Sequence, residues 1–286
     1  MTAPFGARLA AAMDAHGPLC VGLDPHPGLL RDWDLADDVA GLRAFSLGVL
    51  DALAGKVAAL KPQSALYERH GSAGVAVLEE VVAAGRETGT LVVVDAKRGD
   101  IGSTMAGYAD AYLREGSPLA GDALTVSPYL GFGSLTPAVE AAAASGRGLF
   151  VLALTSNPEG ASVQHATGPD GTAVAAAVAA QAAALNAAEL AATGGELGSV
   201  GLVVGATTGD AAQRLGVDLA AVRGPLLAPG VGAQGAGSAE LARVFGTARR
   251  AVLASSSRAV LAAGPDRASL LAAAQNAAHE AAAALR

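Results

Sequence analysis

The strongest local signal is the charged run Asp95-Ala96-Lys97-Arg98-Gly99-Asp100, which directly follows the apolar run 91–94. In an extended segment Asp95 and Lys97 project to the same side. Lys61 closes another apolar run, at 57–61, so neighbouring strands would give a Lys–Asp–Lys alternation. Opposed charges keep both ammonium groups protonated and both carboxylates, Asp95 and Asp100, ionised in a partly desolvated pocket. Such a set can stabilise a developing negative charge and hand over a proton, or it can be a structural salt-bridge network. Several charges at one mouth are costly to assemble for stability alone, which favours the first reading. A second kind of equipment lies near the C-terminus. Gly230, Gly232 and Gly235 punctuate the turn after the run 225–229, and Arg258 follows Ser255-Ser256-Ser257. Glycines let backbone N–H groups approach an anion, and a guanidinium binds phosphate oxygens bidentately. The alternative is a tight turn beside a surface arginine.

The elements that must carry these groups follow from the apolar pattern. Short runs rich in Val, Leu and Ala recur at 19–23, 57–61, 91–95, 123–127, 149–154, 200–205, 225–229 and 251–255. They show little polar–apolar alternation, as expected of strands buried on both faces. Helical patterns fill the gaps at 38–53, 75–86, 103–114, 134–144, 172–192, 210–215, 238–245 and 266–285, and one more, at 6–16, precedes the first strand. Eight strands alternating with eight helices predict an α/β fold, a (β/α)8 TIM barrel with an extra N-terminal helix, formed as one domain over residues 1–286. The count favours closure over an open doubly wound sheet. In such a barrel reactive groups stand at the C-terminal strand ends. These ends carry Asp24, Lys61, Asp95, Thr155-Ser156, the 229–235 segment and 255–258. The connection at 155–171 is long for a compact domain, and reads as a lid or as a disordered surface insertion.

Composition narrows the partners. The 286-residue chain is 52% hydrophobic but only 3% aromatic, so its core must be built mainly of closely packed Val, Leu, Ala and Gly. With a net charge of −7 and no basic cluster longer than Arg249-Arg250, nucleic acid is not an expected partner. Cys20 is the sole cysteine, which excludes a disulfide framework and a thiolate zinc cluster and fits a reducing cytoplasm. His16, His26, His70, His165 and His279 are scattered, with no His/His/carboxylate set of metal-site spacing. No organic electron sink is evident either, so no cofactor is expected. Residues 1–13 lack the basic-then-apolar pattern of a signal peptide. The apolar stretch 173–190 contains Gln181, Asn186 and Glu189, and reads as an outer-layer helix rather than a membrane span.

The segment 95–104, Asp-x-Lys-x-x-Asp-Ile-x-x-Thr, resembles the signature of orotidine 5′-phosphate decarboxylases, as do Gly22-Leu23-Asp24, Leu60-Lys61-Pro62, the 229–235 turn and the 255–258 segment. Their order and strand positions agree, and the resemblance covers nearly the whole chain. Its length and the run Thr155-Ser156-Asn157-Pro158-Glu159-Gly160 resemble the longer bacterial subgroup. The resemblance implies a cofactor-free, cytoplasmic carboxy-lyase that converts orotidine 5′-monophosphate (OMP) to UMP in de novo pyrimidine biosynthesis. It also implies roles by position. Asp24 would bind a ribose hydroxyl, and Lys61 would bind ribose and orient the charges. Asp95 would sit beside the substrate carboxylate, and Lys97 would protonate C6. Asp100 and Thr104 would reach across the interface of a homodimer. Ser156 would bond the pyrimidine amide edge. Gln234 and Arg258, with backbone N–H groups near Gly232 and Ser257, would hold the 5′-phosphate. Gly235-Ala236 departs from the second glycine that many relatives carry there. Two other readings stay open. A metal-dependent sugar-phosphate decarboxylase or aldolase of the same suprafamily would need a further acidic ligand where Lys61-Pro62-Gln63 stands. A non-catalytic nucleotide-binding barrel would need only the phosphate site.

Overall fold

The computed structural model describes residues 3–231 and 236–286. Its strands are β1 (Leu19–Leu23), β2 (Ala59–Pro62), β3 (Leu91–Arg98), β4 (Ala123–Val126), β5 (Gly148–Leu154), β6 (Val200–Val204), β7 (Leu226–Pro229) and β8 (Val252–Ser256). They pair in sequence order, all parallel, and β8 closes on β1 through Leu19–Ala254 and Cys20–Ser255. The eight-stranded barrel is therefore a TIM barrel, as the alternation of elements predicted. The main outer helices are α3 (Val39–Leu53), α5 (Gly71–Thr88), α6 (Gly102–Tyr112), α7 (Thr136–Ser145), α9 (Val174–Thr193), α10 (Ala211–Arg214), α11 (Ser238–Phe245) and α13 (Arg267–Ala284), with α1 (Phe5–His16) ahead of β1.

Several boundaries differ from the sequence reading. Strand β2 starts at Ala59 rather than residue 57, and β3 runs three residues past Asp95, to Arg98. Four short helices escaped the periodicity because each is six residues or fewer: α2 (Pro27–Asp32), α4 (Ser64–Glu68), α8 (Ala161–Gln164) and α12 (Arg258–Leu261). The 155–171 connection is not structureless. It carries a 3-10 turn at Pro158–Gly160 and then α8. Gln164 folds back on its root, donating to Thr155 Oγ1 at 2.7 Å and accepting from Thr155 N–H at 2.9 Å.

Both faces of the strands are buried, yet their residues sort cleanly by parity. Cys20, Ala59, Leu91, Val93, Ala123, Phe150, Val203, Leu227 and Leu253 face the barrel interior together with Phe5 and Leu9 of α1. The alternate residues, among them Val21, Leu60, Val92, Val94, Leu124, Leu202 and Ala254, pack under the helices. Helix α1 thus plugs the N-terminal end of the barrel. Phe5 meets Phe150 edge-on, with ring centroids 5.9 Å apart. Gly148 is required there, since a Cβ on it would lie 2.0 Å from Phe5 Cδ1. Helix α9 is apolar and long enough by composition to cross a bilayer. It instead packs along β5 and β6. Its buried Asn186 donates to Val200 O and Val222 O and accepts from Val200 N–H at 2.7–3.0 Å, which satisfies backbone polar groups that burial would otherwise strand.

Because Phe5 is fully buried and fills the barrel floor, Phe5→Ala should lower stability by about 3–5 kcal/mol. Urea denaturation of the two proteins would show this, and a loss below about 1 kcal/mol would mean that α1 does not act as the plug.

Candidate active site

Above the apolar floor, the interior-facing parity continues into polar residues. Further inward positions are Asp24 after β1, Lys61 on β2, Asp95 on β3, Thr125 on β4 and Ser255 on β8, all hydrophilic, whereas Leu152 of β5 keeps an apolar side chain on the interior. These five line one cavity of about 830 Å³ at the C-terminal mouth, together with Lys97, Gln63, Gly230, Ser257 and Arg258. The barrel register explains the grouping. Gly22 pairs with Lys61, and Gln63 bridges to Asp95, so the ends of β1, β2 and β3 are immediate neighbours.

The centre of the cavity is the Asp95 carboxylate, only 7% exposed. Its Oδ2 accepts from Lys61 Nζ at 2.9 Å, and its Oδ1 accepts from Lys97 Nζ at 2.6 Å and from Thr125 Oγ1 at 2.8 Å. Burial alone would raise the Asp95 pKa, but the attraction of Lys61 and then of Lys97 outweighs it and brings the value down to about 2. Burial pushes Lys61 the other way, toward neutrality. Asp95 and, secondarily, Asp24 overcome that penalty and hold Lys61 above the ordinary lysine range. Asp95 and Lys61 are therefore both charged at neutral pH. Beneath them, Cys20 is raised to about 12, chiefly by burial, and is a neutral thiol. Lys97 is the more accessible lysine of the pair. Its backbone takes φ +48°, a left-handed conformation uncommon for a residue with a side chain.

Asp24 stands at the rim, with its buried Oδ1 unpartnered among the described residues. An acceptor with no partner is suited to a hydroxyl donor on a ligand. Close by, a Cβ on Gly22 would lie 2.0 Å from Ser257 Oγ and 2.8 Å from Asp24 Oδ2, so glycine is what allows the β8 end to approach β1. Ser257 and Arg258, at the start of α12, line the far side of the cavity with Gly230.

The structure brings together Asp24, Lys61, Asp95, Lys97, Ser257 and Arg258. Gly232 and Gln234 lie outside the described residues. Asp100 accepts from the N–H of Ile101 at 2.8 Å and touches neither lysine within this chain. Thr104 is exposed on α6. Ser156 is exposed in the segment after β5 and does not line the cavity. Thr125 was missed in the sequence. The signal was there, as a lone hydroxyl at an inward position of an otherwise apolar strand, but it became readable only with the parity known. Gln63 and His26, also lining the cavity, carried no such signal. Behind β3, Arg98 pairs with Glu68 of α4, donates to Tyr112 Oη at 3.0 Å and lies over the rings of Tyr108 and Tyr112 of α6. It ties the segment that bears Lys97 to both flanking helices.

Comparison with known proteins agrees with this geometry. Residues 17–273 match the model of the orotidine 5′-phosphate decarboxylase / HUMPS family. Proteins named orotidine 5′-phosphate decarboxylase from Streptomyces coelicolor and Salinispora arenicola are 59% and 58% identical to this chain. The first alignment covers 97% of this chain and 96% of the relative, the second 98% of each. A crystallised Streptomyces avermitilis protein, provisionally given the same name, superposes with a TM-score of 0.93 at 60% identity over 99% of this chain and 96% of that one. The OMP decarboxylase of Leishmania donovani superposes at 0.75 with 30% identity, over 99% of both chains. With the family model spanning most of the sequence and relatives at this identity carrying the name of a carboxy-lyase, the chain belongs to the orotidine 5′-phosphate decarboxylase / HUMPS family.

Proposed function

We propose that this chain, as one catalytic domain over residues 1–286, decarboxylates OMP to UMP without a metal or organic cofactor, as a step of pyrimidine biosynthesis in the cytoplasm. The observation that carries the reading is the buried Asp95 carboxylate clamped between Lys61 and Lys97. The C6–carboxylate bond breaks and carbon dioxide leaves, with the electron pair remaining on C6. The Lys97 ammonium stabilises that charge and then donates a proton to C6, becoming a neutral amine that solvent reprotonates. Asp95, beside the departing carboxylate, disfavours the charged ground state, while Lys61 keeps Asp95 ionised. Asp24, whose Oδ1 awaits a donor, takes a ribose hydroxyl. Arg258 and the backbone near Ser257 and Gly232 hold the 5′-phosphate with Gln234, and Ser156 approaches the pyrimidine edge when the 155–171 segment folds inward. Binding energy from the remote phosphate supports that closure.

A homodimer completes the reading, with Asp100 and Thr104 contributed to the partner's cavity. Ile101, Tyr129 and Leu130 support it. They are large apolar side chains left exposed on the adjoining loops after β3 and β4, which Ser127 N–H to Arg98 O joins at 2.8 Å. Scattered exposed apolar residues are ordinary, but a cluster beside the site marks a contact surface.

The first test follows the ultraviolet absorbance of OMP with purified protein, with and without EDTA. Loss of OMP, formation of UMP and no effect of EDTA are expected. Lys97→Ala should lower kcat by roughly 10²–10⁴-fold or more, the range of a general acid that also stabilises charge. Activity abolished by EDTA would favour the metal-dependent sugar-phosphate class. UMP binding without turnover would leave a nucleotide-binding barrel.

Asp95 also sets an acid limit on stability. Its pKa is 3.8 when unperturbed and about 2 here, which corresponds to about 2 kcal/mol of stability. A depressed carboxylate pKa stabilises fully above the unfolded value, and the effect disappears as pH falls through the folded one. Between pH 5 and pH 2, wild-type stability should therefore fall by about 2 kcal/mol more than that of Asp95→Asn, as read from denaturant midpoints at each pH. Parallel curves for the two proteins would contradict the assignment of that charge.

A further inference from the structure

We propose that Thr125 is a positioning residue for the reaction: its hydroxyl fixes the Asp95 carboxylate and the Lys97 backbone in one relation and so aims the Lys97 ammonium. The inference rests on the decarboxylase reading above and assigns to β4 a part in it.

The need for such a residue comes from an irregularity in the barrel. Strands β3 and β4 pair regularly as Val93–Ala123 and Val94–Leu124, but the next pair is Arg98–Val126. Four residues of β3, from Asp95 to Arg98, stand opposite two of β4. The ladder is interrupted where the charged residues sit, and a bulge of this kind re-aims side chains at the expense of main-chain hydrogen bonds. The Lys97 N–H, turned out of the ladder by its φ of +48°, needs another acceptor. Thr125 supplies it. The Lys97 N–H donates to Thr125 Oγ1 at 2.9 Å, and Thr125 Oγ1 donates to Asp95 Oδ1 at 2.8 Å.

The direction of both bonds is forced. An ionised carboxylate only accepts and an amide N–H only donates, so the single hydroxyl proton goes to Asp95 and a lone pair receives Lys97. The hydroxyl cannot reverse without breaking both contacts. Thr125 is 1% exposed, so water does not compete readily for either bond. As a β-branched residue on a strand, it also has few χ1 choices. Asp95 Oδ1 then has two donors, Lys97 Nζ and Thr125 Oγ1, and Oδ2 has Lys61 Nζ. The carboxylate plane, the backbone bearing Lys97 and the Lys97 head group are thereby linked in a closed loop of contacts. Valine at 125 would keep the shape and burial but leave the Lys97 N–H without its acceptor and remove one of the carboxylate's donors. Nothing in that change touches the groups placed against the ribose or the phosphate.

The test compares wild type with T125V, T125S and T125A in steady-state OMP turnover, UMP affinity and thermal unfolding. T125V should lower kcat by roughly ten- to a hundredfold, the scale of a small misplacement of a reacting group, with KM and UMP affinity within about twofold of wild type. T125S, which restores the hydroxyl without the methyl, should recover most of the lost kcat, and T125A should behave like T125V. If T125V does not fold, T125A against T125S gives the same contrast. An active wild type whose T125V keeps kcat within about twofold, loses only KM, or is matched in its defect by T125S overturns the role of Thr125 and leaves the decarboxylase reading intact. An inactive wild type removes that reading, and the inference with it.

Discussion

Everything at the mouth of this barrel depends on a buried carboxylate kept ionised. Taking Asp95 out of water is costly, and the cost is offset only by close, well-directed donors. The barrel provides three from three different strands: Lys61 on β2, Lys97 on β3 itself and Thr125 on β4. Removing any one leaves the others in an unbalanced field. The arrangement is also reciprocal. Asp95 keeps Lys61 charged despite burial, and the two opposite pKa displacements describe one and the same ion pair. An anionic group brought beside this set would meet a negative charge that cannot escape by protonation at any ordinary pH. A cationic head group, that of Lys97, is held on the same side.

The closed barrel is what makes such placement reproducible. Parallel pairing in sequence order fixes which inward residues are neighbours. The parity that puts Cys20, Ala59, Val93, Ala123 and Leu253 on the apolar floor must put Asp24, Lys61, Asp95, Thr125 and Ser255 one or two steps higher. The charge-bearing ends of β1–β3 and the ends of β7 and β8 line the same cavity, with β8 beside β1.

Much of this was legible in the residues themselves. The eight apolar runs located all eight strands to within three residues at any end, because strands buried on both faces are nearly uninterrupted Val, Leu and Ala. Asp24, Lys61, Asp95, Lys97, Ser257 and Arg258 stood out as polar residues that terminate those runs, and the structure gathers them in one cavity. Thr125 was hidden because it lies inside its run rather than at the end, and only a known inward parity separates it from a neutral strand threonine. The bulge between Val94 and Arg98 is a property of pairing with β4 and leaves no mark on β3 alone. Helices α2, α4, α8 and α12 are too short to show a period. Ser156 could be assigned only by resemblance, since its position depends on how the 155–171 segment folds, and here that segment is stabilised by its own Gln164–Thr155 contacts rather than by the cavity.

The floor beneath the charges matters as much as the charges. Cys20 lies one inward step below Gly22, in the layer with Ala59 and Val93, and its thiol is held neutral by burial. No competing anion therefore sits under Lys61, whose nearest negative partner is Asp95. Below that layer Phe5, Leu9 and Phe150 seal the barrel against water from the N-terminal end. Among the described residues Lys61 and Asp95 are buried, and the cavity they line lies at the C-terminal mouth, on the side away from α1. In such a half-enclosed space the interactions of Lys61, Asp95 and Lys97 are screened less than on an open surface. The apolar plug at one end of the barrel thus strengthens the electrostatics at the other, although no atom of α1 touches a charged group of the site.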